Sequence, residues 1–223
     1  MSFAASVSHL KHPACRHAWW VAFLVASAAT PAVARAQGTP QTLAMEARTK
    51  GSPTAPVTVY EMADFQCSFC GKFARETFGA IETEYIKTGK VRWIFINLPI
   101  PSIHANAQAA AEFGACAALQ GKFWQTHDML YATQDQWEQL KNPAPFFQSK
   151  MASLSLKSAE LNRCVQSGRG SAIVKDDVAG AQRSGAQSTP SFYIEGGMMA
   201  GAQPIQVFRY VLDSMYQAKT KKP

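Results

Sequence analysis

Cysteine is scarce in this chain of 223 residues: there are five, at positions 15, 67, 70, 116 and 164. Only Cys67 and Cys70 stand at C-x-x-C spacing, and neither Cys116 nor Cys164 has a second C-x-x-C or an H-x-x-x-H beside it. A structural zinc site takes four ligands, often from two such pairs, so the pattern disfavours zinc and no metal is expected. Long charged runs are missing too. The one basic cluster, Lys219-Thr220-Lys221-Lys222, reads as a solvated tail, and nothing suggests nucleic acid. The apolar stretch from Ala18 to Ala29 falls short of the roughly 20 residues that cross a bilayer. No internal repeat is visible.

That same stretch has another reading. Lys11 and Arg16 precede it and Ala34-Arg35-Ala36 follows, which gives the basic head, apolar middle and small-residue end of a secretory signal over residues 1–36. Cys15 lies before the apolar run and would leave with the signal. The net charge of +7 would fall to +4, because the signal holds three basic residues and no acidic one. The 187 residues left suffice for one domain with a sizeable core, in a compartment where disulfides persist.

What is present is organised around Asp64-Phe65-Gln66-Cys67-Ser68-Phe69-Cys70-Gly71. A β-like run, Val57 to Met62, comes before it. After it, Phe73, Ala74, Phe78, Ile81 and Tyr85 recur at helical spacing, which predicts one helix ending near Gly89. The cysteines then occupy the first turn of a helix that follows a buried strand. Residues three apart share a helix face, within disulfide reach. Free N–H groups and the helix dipole favour an anion there, so Cys67 should ionise more readily than Cys70. An exposed acidic thiol beside a shielded one makes a couple that attacks and then resolves. A purely structural disulfide is less favoured, since so short a loop removes only about 2 kcal/mol of unfolded-chain entropy.

The remaining pattern places this motif. Residues 37–56, with several Gly and Pro, read as a flexible leader. Residues 57–101 supply strand, helix and the strand Lys90 to Asn97, a parallel pair by its crossover. Residues 102–184 read as a helical insertion. The sheet resumes over 185–218 with Ser191 to Glu195, a Gly196-Gly197 turn, Met198 to Ala200 and a closing amphipathic helix; 219–223 is the basic tail.

Together these residues resemble the thioredoxin superfamily, and more narrowly the DsbA-like periplasmic thiol–disulfide oxidoreductases. The similarity runs from about Val57 to Gln217. It includes strand, C-x-x-C, helix and strand, the insertion, and Thr189-Pro190 before the next strand; Ala115 to Trp124 is similar to the insertion of one DsbA-like branch. The resemblance implies an α/β thioredoxin-like fold with a helical insertion domain. It makes Cys67 the nucleophile, Cys70 the resolving thiol and Pro190 a cis-proline facing them, with Thr189 offering backbone hydrogen bonds. Glu61 takes the place of a buried acid beneath the couple. Strand alternation agrees, since Val57, Val59 and Glu61 share a face, and burial would raise that carboxyl until it can exchange protons with Cys70.

The resemblance also implies a structural disulfide between Cys116 and Cys164. It implies no cofactor beyond the redox-active disulfide. Partners would be unfolded or reduced secreted proteins and a membrane protein that reoxidises or reduces the couple. Phe65, Phe69, Met198 and Met199 could form an apolar rim for substrates or could be core. Asp64 reads as a turn or capping acid, His104 and His127 as packing or capping residues. The leader is too short for the dimerisation domain of DsbC- and DsbG-type isomerases, so a monomer is expected. One departure stands out: Ser68-Phe69 occupies the place of the Pro-His of typical DsbA oxidases, which moves this chain toward a weaker oxidant. The competing readings are a reductase or isomerase and a non-catalytic thiol or metal-binding chaperone.

Overall fold

The structure, a computed structural model, describes residues 38–221; the expected signal segment and Cys15 lie outside them. The chain enters through helix α1 (Pro40–Ala47), which ends in the short strand β1 (Thr49–Lys50). Thr39 caps α1 by accepting the Thr42 N–H at 3.2 Å, and Pro40 opens it where its missing N–H costs nothing. The expected flexible leader is therefore structured from Pro40 to Lys50. Its last link is Arg48, whose guanidinium is fully buried and forms a two-pronged ion pair with Asp177. The Asp177 Oδ2 also accepts the Asn97 backbone N–H at 3.1 Å and its Nδ2 at 2.7 Å. The Gly and Pro content that reads as a loop in fact brackets a helix whose anchor is a cation 129 residues from its partner.

Strand β2 (Val57–Ala63) leads to helix α2 (Ser68–Glu76). The long helix expected up to Gly89 is broken: Thr77 closes α2, α3 (Phe78–Ile81) follows, and a π-helical turn spans Glu82–Ile86. The segmentation carries Phe78, Ile81, Tyr85 and Ile86 into one buried cluster. Strand β3 (Val91–Asn97) pairs parallel with β2, setting Glu61 opposite Phe95. Helices α4 (Ala107–Ala118), α5 (Phe123–Ala132), α6 (Gln134–Trp137), α7 (Ala144–Lys150), α8 (Ser158–Gln166) and α9 (Arg169–Arg183) form the insertion. Then β4 (Ser191–Ile194), β5 (Gly197–Ala200) and α10 (Ile205–Thr220) complete the fold, with sheet order β1-β3-β2-β4-β5.

Alternation along the strands divides the core. Val57, Val59, Trp93 and Phe192 face α2 and α10 and pack with Phe73, Phe208 and Leu212. Met62, Ile94 and Ile96 point the other way, toward Ala181 of α9. Burying each large apolar side chain contributes about 1.5–3 kcal/mol. A third cluster joins Phe65, Cys67, Cys70 and Phe95 with Ala110, Ala117, Phe123, Leu130, Tyr131 and Trp137 of the insertion. The helical insertion therefore shares a core with the C-x-x-C turn. Within it, Cys116 and Cys164 form a disulfide that joins α4 to α8.

Candidate active site

The turn after β2 is fixed before the cysteines begin. Asp64 is buried: its Oδ1 accepts the Gln66 N–H at 2.8 Å, and its Oδ2 accepts the Ile100 N–H at 2.9 Å and meets His104 Nδ1 at 2.8 Å. The Asp64 carbonyl then accepts the Cys67 N–H at 3.1 Å. As the sequence suggests, Asp64 is a turn acid, and His104 braces it.

Cys67 is the N-cap of α2, with φ −69° and ψ 122°, and its carbonyl accepts the first helical bond from Gly71 N–H at 3.0 Å. Its side chain therefore stands over the unpaired N–H groups of the first turn. Both thiols are free and buried, Cys67 at 6% exposure and Cys70 at 0%, so the expected exposed thiol is in fact nearly covered. In its protonated form the Cys67 Sγ–H donates to the Thr189 carbonyl at 3.4 Å. The Thr189–Pro190 peptide is cis.

The two thiols differ sharply in acidity. A hydrogen bond from the Cys70 thiol, together with the Thr189 side chain and the backbone N–H groups of Cys70 and Phe69, brings Cys67 down to about 5 although burial opposes its charge. Burial pushes Cys70 well above its ordinary value of 9.0, and the bond it gives Cys67, the Cys67 charge and the Glu61 carboxylate push the same way. One thiol is thus ionised at neutral pH and its neighbour holds a proton.

Glu61 lies on β2 within the α2 and α10 face, 1% exposed. Burial raises its carboxyl to about 8, opposed by the Trp93 Nε1–H, which donates to Oε2 at 2.8 Å. The other oxygen, Oε1, has no hydrogen-bond partner among the described residues. A carboxyl with this acidity can take up or release a proton near neutrality.

The apolar rim is only partly as expected. Phe69 is 63% exposed between the cysteines and Met198 is exposed on β5, but Met199 packs half-buried against the core. Phe65 is not rim at all. It is buried, stacked on Phe95 at 5.1 Å and against Tyr131 at 5.1 Å, because the turn at Asp64 aims it into the insertion. Ile103, 70% exposed and next to His104, is an apolar surface residue that periodicity did not single out. His127 is core, ringed by aromatics, with Nδ1 at 2.8 Å from Asp128. Burial holds its imidazole below its ordinary value.

Sequence reasoning missed the polar residues of the insertion that grip the turn. Gln134 Nε2 donates to the carbonyls of Phe65 at 2.8 Å and Cys67 at 3.0 Å. Gln66 bonds Glu138 and Asn106, and Tyr131 Oη–H donates to the Asp64 carbonyl at 3.4 Å. An uncharged amide far along the chain carries no periodic or spacing signal that could have found it.

The chain is similar to known proteins in sequence and in fold. A family model described as thioredoxin matches residues 44–214. The structure superposes on α-DsbA1 of Wolbachia pipientis with a TM-score of 0.67 at 25% identity, covering 77% of this chain and 92% of that one. BdbD of Bacillus subtilis gives a TM-score of 0.70 at 21% identity, covering 81% and 97%. Disulfide bond formation protein D of Bacillus subtilis is 26% identical over 145 residues, 65% of either chain. A Na(+)/H(+) antiporter, NhaA 3 of Salinispora tropica, is 31% identical over 174 residues, 78% of this chain but 25% of that one. The chain thus spans about a quarter of the antiporter's length, and among the described residues no helix is long and apolar enough to cross a membrane. The family match over residues 44–214 takes in the strand, the C-x-x-C turn, the inserted helices and the cis-proline loop of this chain, which belongs to the thioredoxin family, in its DsbA-like branch.

Proposed function

We propose that this protein is a thiol–disulfide oxidoreductase that passes a Cys67–Cys70 disulfide to reduced proteins outside the cytoplasm. The observation that carries this reading is the split in acidity between Cys67, at about 5, and Cys70, far above it, on one helical turn beneath the Thr189–Pro190 loop. In the oxidised protein a substrate thiolate attacks Cys67 Sγ, the Cys67–Cys70 bond breaks, and a mixed disulfide forms at Cys67. Cys70 departs as a thiolate and takes a proton, for which Glu61, held up to about 8, is the nearby donor. A second substrate thiolate then attacks the substrate sulfur of the mixed disulfide. Cys67 leaves with the electron pair, the substrate gains a disulfide, and the protein is left with two reduced cysteines.

The direction follows from the same acidity. A thiol ionised at neutral pH is a good leaving group and stabilises the reduced protein, which favours oxidation of the substrate. Phe69, in the place where DsbA oxidases carry His, supports the second reading, a weaker oxidant able to act as a reductase or isomerase. Phe69 and Met198 offer exposed apolar surface to an unfolded chain. A Cys116–Cys164 disulfide suits an oxidising compartment, in keeping with the expected signal and a periplasmic site. Reoxidation would fall to a membrane partner, and we expect the protein to act as a monomer. Mixing the oxidised protein with a reduced two-cysteine peptide tests the reading. Peptide disulfide should appear mole for mole with loss of Cys67–Cys70. Peptide thiols that persist beside an intact Cys67–Cys70 bond would end the oxidase assignment.

A further inference from the structure

The amide of Gln134 has an unusual position. Gln134 opens α6, a four-residue helix held by Trp137, which is fully buried and donates Nε1–H to the Leu130 carbonyl at 2.9 Å. Asn106 fastens the other side, giving Nδ2–H bonds to the carbonyls of Trp137 at 3.1 Å and Leu140 at 2.8 Å. The backbone that carries Gln134 is therefore fixed, and its side chain is buried. From there the two N–H bonds of one amide reach two carbonyls, Phe65 and Cys67, that flank Gln66. The amide oxygen lies flat against Gly71, where an added Cβ would fall on Gln134 Oε1 and within 2.8 Å of Arg75 Nη1.

We propose that Gln134 is a positioning residue for the Cys67–Cys70 couple, stapling the turn that presents Cys67, and that Gly71 is glycine so that this amide can lie on α2. The inference rests on the oxidoreductase reading. Two effects follow from the geometry. The staple holds Cys67 in its extended N-cap conformation, which keeps Sγ over the first-turn N–H groups rather than letting the residue wind into the helix. The donated N–H also neutralises part of the negative end of the Cys67 peptide dipole, a neighbour that opposes an anion at the same residue. Gly71 gives the idea an independent handle. Alanine is the better former of helix interiors, so Gly71→Ala should help α2 unless something must lie against it.

The experiment uses the full chain with Gln134→Met, which keeps length and loses both donors, and separately Gly71→Ala, which displaces the amide. Thiolate absorbance against pH gives the Cys67 pKa, a glutathione equilibrium gives the potential, and melting of both redox forms reports folding. Each variant should raise the Cys67 pKa by about one unit. Each should also weaken oxidation of glutathione about tenfold, which is about 30 mV in a two-electron couple. Variants that melt lower by equal amounts in both redox forms, with Cys67 titrating as in the parent, would reduce Gln134 to packing and overturn the proposal. Should Gln134→Met not fold, the same pKa and potential measured on Gly71→Ala decide alone. A parent protein whose Cys67 titrates near its ordinary value would instead remove the oxidoreductase reading and this inference with it.

Discussion

Lowering the pH from 7 to 5 should destabilise the reduced protein relative to the oxidised one, and the structure sets the size of the effect. Cys67 titrates at about 5 in the fold against an ordinary 9.0. A depressed thiol stabilises the folded reduced state at high pH, and that contribution drains away as pH falls toward the folded pKa. At pH 7 Cys67 is almost wholly ionised in the fold and almost wholly protonated in the unfolded chain; at pH 5 it is half protonated in the fold. Integrating the proton difference across that window gives about 2 kcal/mol. Solvent at the mouth of the site screens part of this, which brings the expectation to about 1–2 kcal/mol. Cys70 stays protonated throughout the window in both states and adds nothing. Glu61 is raised to about 8, so it favours the fold below its unfolded value of 4.5 and loses that contribution as pH rises through 8. Comparing the two redox forms subtracts the part of that contribution they share. Urea denaturation of reduced and oxidised protein at both pH values is the assay. A reduced-minus-oxidised difference that does not change between pH 5 and 7 would refute the depressed thiol and the reasoning built on it.

Three further outcomes are expected. Glu61→Gln should slow resolution of the mixed disulfide around neutral pH, and it should stabilise both redox forms above pH 8 by removing a buried charge; stopped-flow kinetics and denaturation at pH 9 check these, and unaltered rates would take Glu61 out of the proton path. Replacing both Cys116 and Cys164 by Ala should cost about 4 kcal/mol, the entropy of a loop closed over a separation of 48, while peptide oxidation persists; a dithiothreitol series should open Cys67–Cys70 first. Arg48→Ala should cost about 3–5 kcal/mol, because Asp177 would be left buried without its cation, and a melt near that of the parent protein would show that the entry segment is dispensable.

What the sequence made legible was local or periodic. C-x-x-C at the foot of a helix and the face shared by Val57, Val59 and Glu61 follow from spacing alone, and the structure sets those residues on one buried face. Thr189-Pro190 and the Cys116–Cys164 pairing needed a family resemblance, since nothing in one sequence says which distant residues meet. Arg48 and Gln134 were beyond reach for the same reason: their partners lie 129 and 69 residues away. Phe65 was ambiguous because a turn, not a strand or helix, decides which way it points. Pro40 read as a loop residue because proline serves equally well as the first residue of a helix.

The claim that stands under everything else is that Cys67 is the attacking and acceptor sulfur. Cys70→Ser cannot resolve a mixed disulfide, so mixing it with a peptide disulfide should trap the intermediate. Peptide mapping by mass spectrometry should find the adduct on Cys67. In the parent protein, whose Cys70 thiol is the chief support of the Cys67 thiolate, attack on the peptide disulfide should run at a rate that stays level from pH 9 down to about pH 6 and falls below it as the thiolate is protonated. An adduct on another cysteine, or a rate that falls throughout the descent from pH 9, would contradict the account.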